Sequence, residues 1–222
     1  MTVTASKKKK GLERPPGPGL AIKQERGRKT YQALIAAGFK LLERREFESI
    51  TIVDVSRVAG YSVGAFYARF KSKDEFFEAM IAHHIEERRV ARTKLLDSAP
   101  RDELIPQLIE QLVDSYWRRR QFWRAALMRC VRDPTFWAPI HRSAQEFVGL
   151  VIGRIQADAG RGLTEAESEN IRFAIHMVFG MVNNRIVNRP RPSWIGNSTF
   201  VANLTRAFRL VADYDRLMDG SA

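Results

Sequence analysis

The chain is predicted to be all α-helical, on three observations. Apolar residues recur three and four apart along most of its 222 residues, capping residues open these runs, and no stretch alternates as a strand would. The first helix is expected over about residues 25–45, with Tyr31, Leu34, Ile35, Phe39, Leu41 and Leu42 as its buried stripe. Thr51 then caps a short helix in which Ile52, Val55 and the pair Val58 and Ala59 share a face. Gly60 ends it, because glycine enters the left-handed backbone region without steric cost. Ser62 caps the next helix, where Phe66 and Phe70 turn to the core while Val63 and Tyr67 share another face.

Ser72 and Glu75 have the spacing of a capping box for a fourth helix reaching about residue 97, with Phe76, Phe77, Met80, Ile81, His84, Ile85 and Ala91 on its stripe. Pro100 and Asp102 interrupt the pattern, and helices follow over about residues 103–118, 121–131 and 134–159. After Gly160, Arg161 and Gly162, Thr164 and Glu167 form a second capping box for a helix reaching Asn188. Pro190 and Pro192 intervene, and Asn197 or Ser198 caps a last helix to about residue 218. Residues 1–24 carry the run Lys7 to Lys10 and a Pro/Gly cluster with few apolar side chains, so a disordered basic tail is expected there.

Two short helices across a tight turn make a helix-turn-helix, whose second helix fits the major groove of double-stranded DNA. The charge agrees: the formal net charge is +12, of which residues 1–75 hold +8 and the other 147 residues +4. The spaced set Ala36, Ala37, Phe47, Thr51, Asp54, Ala59, Gly60, Ser62, Val63, Gly64, Phe66, Tyr67, Phe70, Ser72 and Lys73 resembles the DNA-binding domain of the TetR family of transcriptional regulators, over residues 28–77. It departs from that pattern at Glu46, where a glycine is usual. The resemblance implies operator DNA as partner, with Thr51, Tyr67 and Lys73 as phosphate contacts. Arg28, Ser62, Val63, Gly64 and Ala65 complete the expected DNA-binding set. The recognition helix has no Asn, Gln or Lys, and Arg69 lies near its end, so readout should lean on thymine methyls and DNA shape. For the tail, a solvated segment and a basic arm along the DNA backbone fit equally well.

Other chemistries find little support. Cys130 is single, and its neighbours Leu127, Met128 and Val131 suggest a packed thiol. The four histidines show no metal-ligand spacing, and neither a nucleophile–base set nor a glycine-rich phosphate loop is present, so no metal, no cofactor and no enzymatic activity are expected. With no signal peptide and no apolar run of membrane-spanning length, no membrane association is expected and the location is read as cytoplasmic.

The division expected is a tail (1–24), a DNA-binding domain (25–75) and a helical effector-binding and dimerisation domain (76–222). The last helix has two apolar stripes, one through Val201, Leu204, Phe208, Val211 and Met218, the other through Phe200, Ala207, Leu210, Tyr214 and Leu217. One should meet the core and the other a second subunit, and Val201, Leu204, Phe208 and Val211 are assigned to a homodimer interface. The preceding helix turns Ile171, Ile175, Val178, Val182 and Ile186 to the core. The TetR resemblance implies the same two-helix interface and a ligand pocket, for which Trp117, Trp123, Trp137, Phe147, Phe173, His176 and Met177 are candidates. Periodicity says only that large side chains are available there. His176 and Arg172 fit a pocket and a surface hydrogen bond equally. A mainly apolar pocket with few charges is expected, holding a small hydrophobic effector that is neutral or anionic. The leading reading is a dimeric repressor released by that effector; the alternative is a structural or nucleoid-associated DNA-binding protein without one.

Overall fold

Caps set the helix boundaries of the N-terminal third. In the computed structural model, which describes residues 18–188 and 197–219, α1 spans Pro18–Leu42, α2 Ile52–Ala59, α3 Val63–Tyr67 and α4 Lys73–Ser98. α1 therefore starts before residue 25, and residues 18–24, expected in a disordered tail, are helical. Proline suits a first helical position because its missing N–H would have no partner there. The lysine run lies outside the described residues, as do Pro190 and Pro192. Glu46, at the departure from the family pattern, has φ −74° and ψ 147°, ordinary extended backbone that needs no glycine. Thr51 Oγ1 accepts the Asp54 N–H at 3.1 Å, and the Asp54 carboxylate accepts the Thr51 N–H at 3.1 Å, closing a capping box. Gly60 has φ 76°, as expected of the turn glycine. Ser62 Oγ accepts the Ala65 N–H at 3.1 Å. At α4 half of the predicted box forms: Ser72 Oγ accepts the Glu75 N–H at 3.1 Å, but the Glu75 carboxylate accepts the N–H of Lys71 at 2.7 Å.

These helices close around Leu34, Ile35, Val55, Phe66, Phe70 and Phe76, all buried. α1 crosses α4 at Gly38, where an added Cβ would stand 2.7 Å from Phe76 Cζ and 2.8 Å from Met80 Sδ. α4 then runs on into the second part of the fold. There α5 (Leu104–Arg118), α6 (Arg120–Arg132), α7 (Ala138–Ala159), α8 (Glu165–Asn188), α9 (Asn197–Val211) and α10 (Tyr214–Asp219) form a bundle. The capping box of Thr164 and Glu167 opens α8 as predicted, with bonds of 2.8 and 3.2 Å. Arg154 ties α7 to the end of α4, donating to Asp158, to the Ala99 carbonyl at 2.7 Å and to the Leu96 carbonyl. No strand occurs among the described residues.

The predicted last helix is two. Asp213 takes φ 49°, a left-handed value that aspartate tolerates better than most residues. The chain turns there, Tyr214 and Leu217 enter the core, and the Tyr214 hydroxyl donates to the Arg101 carbonyl at 3.2 Å. The assignment of the α9 stripes is also corrected. Leu204 and Phe208, expected at a subunit interface, are buried in the protomer's own core, because α9 packs against both α5 and α8. Val201 and Val211 are half-buried against that core, and the outward apolar side chain is Leu210, 75% exposed.

Candidate nucleic-acid interface and ligand cavity

Tyr67 is 54% exposed although its neighbour Phe66 is fully buried, so α3 splits as its four-residue spacing requires. Ser62 and Gly64 are also exposed, and Val63 and Ala65 are half-buried. The outer surface of α3 is thus short-chained around one tyrosine. Thr51 is exposed, but its hydroxyl already donates to Asp54 at 2.9 Å. Asp54 also receives Arg45 at 2.9 Å and Arg57 at 3.1 Å, and its bonds from Thr51 and these arginines hold its carboxyl far below the usual range. Arg28 is exposed on α1.

Lys73 is more committed than the sequence indicates. Its ammonium donates to the Glu48 carbonyl at 3.0 Å and lies 4.4 Å from the Phe47 ring centroid, pinning the Phe47–Ser49 turn to α4; partial burial lowers its pKa. Arg69 donates to the carbonyls of Gly27 and Ala65, joining α3 to α1, which agrees with its being no base reader.

A cavity of about 270 Å³ lies between α4, α6, α7 and α8. Of the pocket candidates, Trp123, Trp137 and His176 line it. Phe147 instead borders a separate apolar space of about 30 Å³ near α5 and α9. Trp117 is outside the cavity, with the guanidiniums of Arg185 and Arg120 at 5.0 and 5.5 Å from its ring. Phe173 is 65% exposed, and Met177 is half-buried away from the lining. Arg172 pairs with Glu165 and Glu169 at the surface. Helical periodicity gives the reason for the misses: Phe173 and Met177 lie four apart on the face of α8 opposite its core stripe. A wider surface groove of about 640 Å³ runs between α5 and α9, past Glu110, Val201 and Leu210.

The cavity is not the weakly charged pocket expected. Arg88 and Arg92 of α4 enter its wall, together with His84, and among the described residues no carboxylate does. Burial and mutual repulsion bring the Arg88 pKa down to about 10, and burial lowers that of Arg92. Arg88 donates to Gln111 Oε1 at 2.9 Å, and Arg92 lies 4.5 Å from the Phe147 ring. Tyr116 stacks on Trp123, centroids 4.2 Å apart and planes 2° off parallel. These arginines were missed although His84, Arg88 and Arg92 fall four apart on α4; that spacing was the available signal.

Arg119 joins the cavity wall to the N-terminal helices. Its guanidinium is 3.9 Å from the Phe39 ring of α1, donates to Glu87 at 2.5 Å and meets His84 Nδ1 at 2.6 Å. A guanidinium can only donate, so Nδ1 is the acceptor and the neutral His84 ring carries its proton on Nε2. Burial, then the charges of Arg119, Arg88 and Arg92, push the His84 pKa down to about 2. The unfolded chain protonates this histidine below about pH 6.5 while the folded chain does not, so stability is lost as the pH falls through that value and constant above it. Between pH 7.5 and 5.0 this one group should remove about 2 kcal/mol. Urea unfolding at the two pH values checks this: His84→Asn should remove most of the difference, whatever its stability at pH 7.5. Cys130 takes no comparable part, since its thiol donates to the Ala126 carbonyl at 2.9 Å and burial raises its pKa to about 11.

Comparison with known proteins bears on this architecture. Residues 34–80 match the family described as "Bacterial regulatory proteins, tetR family". Over 104 residues the chain is 31% identical to the uncharacterized HTH-type transcriptional regulator YwcC of Bacillus subtilis, a match covering 42% of this chain and 45% of that protein, so less than half the relative's length is spanned. A tetR-family regulator from Streptomyces coelicolor has a similar fold, with TM-score 0.66 and 17% identity over 86% of this chain and 87% of that one. NalD, the secondary repressor of the MexAB-OprM multidrug efflux pump in Pseudomonas aeruginosa, superposes with TM-score 0.54 and 20% identity over 83% of this chain and 97% of its own. A capped helix-turn-helix on a helical bundle, the match at residues 34–80 and these likenesses agree: residues 34–80 form a tetR-family domain, and the described fold around it is similar to that of tetR-family regulators.

Proposed function

We propose that the protein is a homodimeric repressor that binds operator DNA through α2 and α3 and releases it when a small molecule occupies the bundle cavity. The observation that carries this reading is the pairing of an exposed Tyr67 on a rigidly capped α3 with a cavity whose wall reaches α1 through Arg119 and Phe39. The cavity, with polar groups built into it, favours a regulated protein over a ligand-free architectural one. NalD is named a repressor, which supports the same direction of control. A ligand that binds better when α4 and α6 sit differently would bias the spacing of two heads, and operator affinity would fall by its differential affinity for the two arrangements. Dimerisation is supported by the outward apolar side chains Phe173 and Met181 of α8 and Leu210 of α9.

Mobility shifts on an operator fragment test the DNA-binding part. Tyr67→Phe removes a surface hydroxyl without touching the core, so folding should be unchanged. The lost charge-assisted hydrogen bond to phosphate should weaken binding about tenfold or more on every sequence. Because tyrosine is neutral, the salt dependence should keep its slope, whereas losing a cationic contact would flatten it by about 0.9. Val63→Ala should instead change the ranking of operator variants. Wild-type affinity in Tyr67→Phe would remove Tyr67 from the interface.

A further inference from the structure

Within the effector reading above, the cavity wall itself narrows the class of ligand. Three buried N–H groups of its lining residues have no hydrogen-bond acceptor among the described residues: His84 Nε2, Arg88 Nε and Trp123 Nε1. Asn183 adds an unbonded amide oxygen on the α8 side. Buried donors without acceptors cost stability unless something bonds to them, and cationic donors cost most. Several other arginines of this chain are met by carboxylates: Arg119 by Glu87, Arg154 by Asp158, Arg161 by Glu167. Arg88 and Arg92 instead have a neutral amide and an aromatic face, leaving two like charges beside one cavity.

Besides His141, Ser143 and His176, the rest of the wall is largely apolar and aromatic. Trp123, stacked on Tyr116, stands on one part of it, and Ile85, Trp137, Ile140 and Phe179 on others. With ~30 Å³ per water in the liquid, the space equals that of roughly nine waters, enough for one or two rings or a medium acyl chain. We propose that the cavity binds an organic carboxylate with an aromatic or aliphatic body, its carboxylate oxygens accepting from Arg88, Arg92 and the N–H groups of His84 and Trp123, and its body lying against the aromatic wall. The neutral Nε2–H tautomer imposed on His84 by Arg119 supplies a donor there and would link carboxylate binding to the Arg119–Phe39 contact with α1. A carboxylate fits because a guanidinium pair offers a planar array of donors and no acceptor.

The test is calorimetry on the full chain with benzoate, 2-naphthoate and decanoate, each beside its primary amide, and with inorganic phosphate. At least one acid should bind 30-fold or more tightly than its amide. Arg88→Gln or Arg92→Gln should cut the acid's affinity at least tenfold and leave the amide's unchanged, while Arg92→Lys keeps part of it. Circular dichroism and melting of each variant confirm folding, and Arg92→Lys serves where a glutamine variant does not fold. Equal affinity for every acid and its amide, or phosphate binding more tightly than all three acids, overturns the assignment. Operator release is read separately. An acid that binds through Arg88 and Arg92 but leaves the operator complex intact supports the ligand class and removes the repressor-release mechanism.

Discussion

Phe77→Ala is expected to destabilise the protein by about 3–5 kcal/mol, the range for emptying a large aromatic from a closed core. Phe77 is fully buried where three parts of the chain meet. Its ring is 4.3 Å from Phe47 in the turn before α2, 5.5 Å from Phe122 on α6 and 5.8 Å from Phe136 beyond α6, nearly parallel to the last. Truncation therefore removes contacts that hold the helix-turn-helix against the bundle, beyond its effect on either part alone. The single unfolding transition expected of the wild type should fall to lower denaturant. If the two parts rely on this junction, it should split, with the helix-turn-helix melting first. Denaturation followed by circular dichroism and tryptophan fluorescence gives the readout, because all four tryptophans lie in the second part of the chain. Phe77→Leu keeps most of the volume and should cost far less. A loss below about 1 kcal/mol in Phe77→Ala would mean the junction closes over the space.

What was legible in the sequence was local. Thr51, Gly60, Ser62, Thr164 and Glu167 act on backbone groups within four residues, so chemistry and spacing sufficed to locate the ends of α2, α3 and α8. The core stripe of α8, from Ile171 to Ile186, was equally plain because its β-branched residues recur at spacings of three and four. The failures share another cause. On α9 both stripes are apolar, and only the positions of α5 and α8 decide that Phe208 turns in and Leu210 out. The break at Asp213 depends on Tyr214 finding Arg101, 113 residues away. On α4, periodicity placed Arg88 and Arg92 with His84, but long cations are ordinarily read as solvent-facing. The site's polar character was therefore missed while its aromatic wall was partly found.

The corrected α9 geometry separates two outcomes that the stripe assignment would have merged. Phe208 is 3% exposed within one protomer and stands 6.3 Å from the Tyr214 ring, so Phe208→Asp places an unpaired charge in the core. That variant should lose folded structure altogether, at a cost of several kcal/mol. Leu210 is exposed within one protomer, as are Phe173 and Met181 on α8, so Leu210→Asp combined with Phe173→Asp leaves each protomer's core untouched. If this face joins two copies, the pair of charges should keep wild-type helicity but shift sedimentation from dimer to monomer at micromolar concentration. Operator binding should then fall by a hundredfold or more, because one head meets one half-site and the second contact no longer comes at high effective concentration. The cavity between α4, α6, α7 and α8 has neither Leu210 nor Phe173 in its lining, so acid binding should survive in the monomer at near its original affinity. A double variant that still sediments as a dimer moves the interface to another face. A wild type that is monomeric at micromolar concentration removes the paired-head mechanism, since nothing would then set the spacing that a ligand is proposed to change.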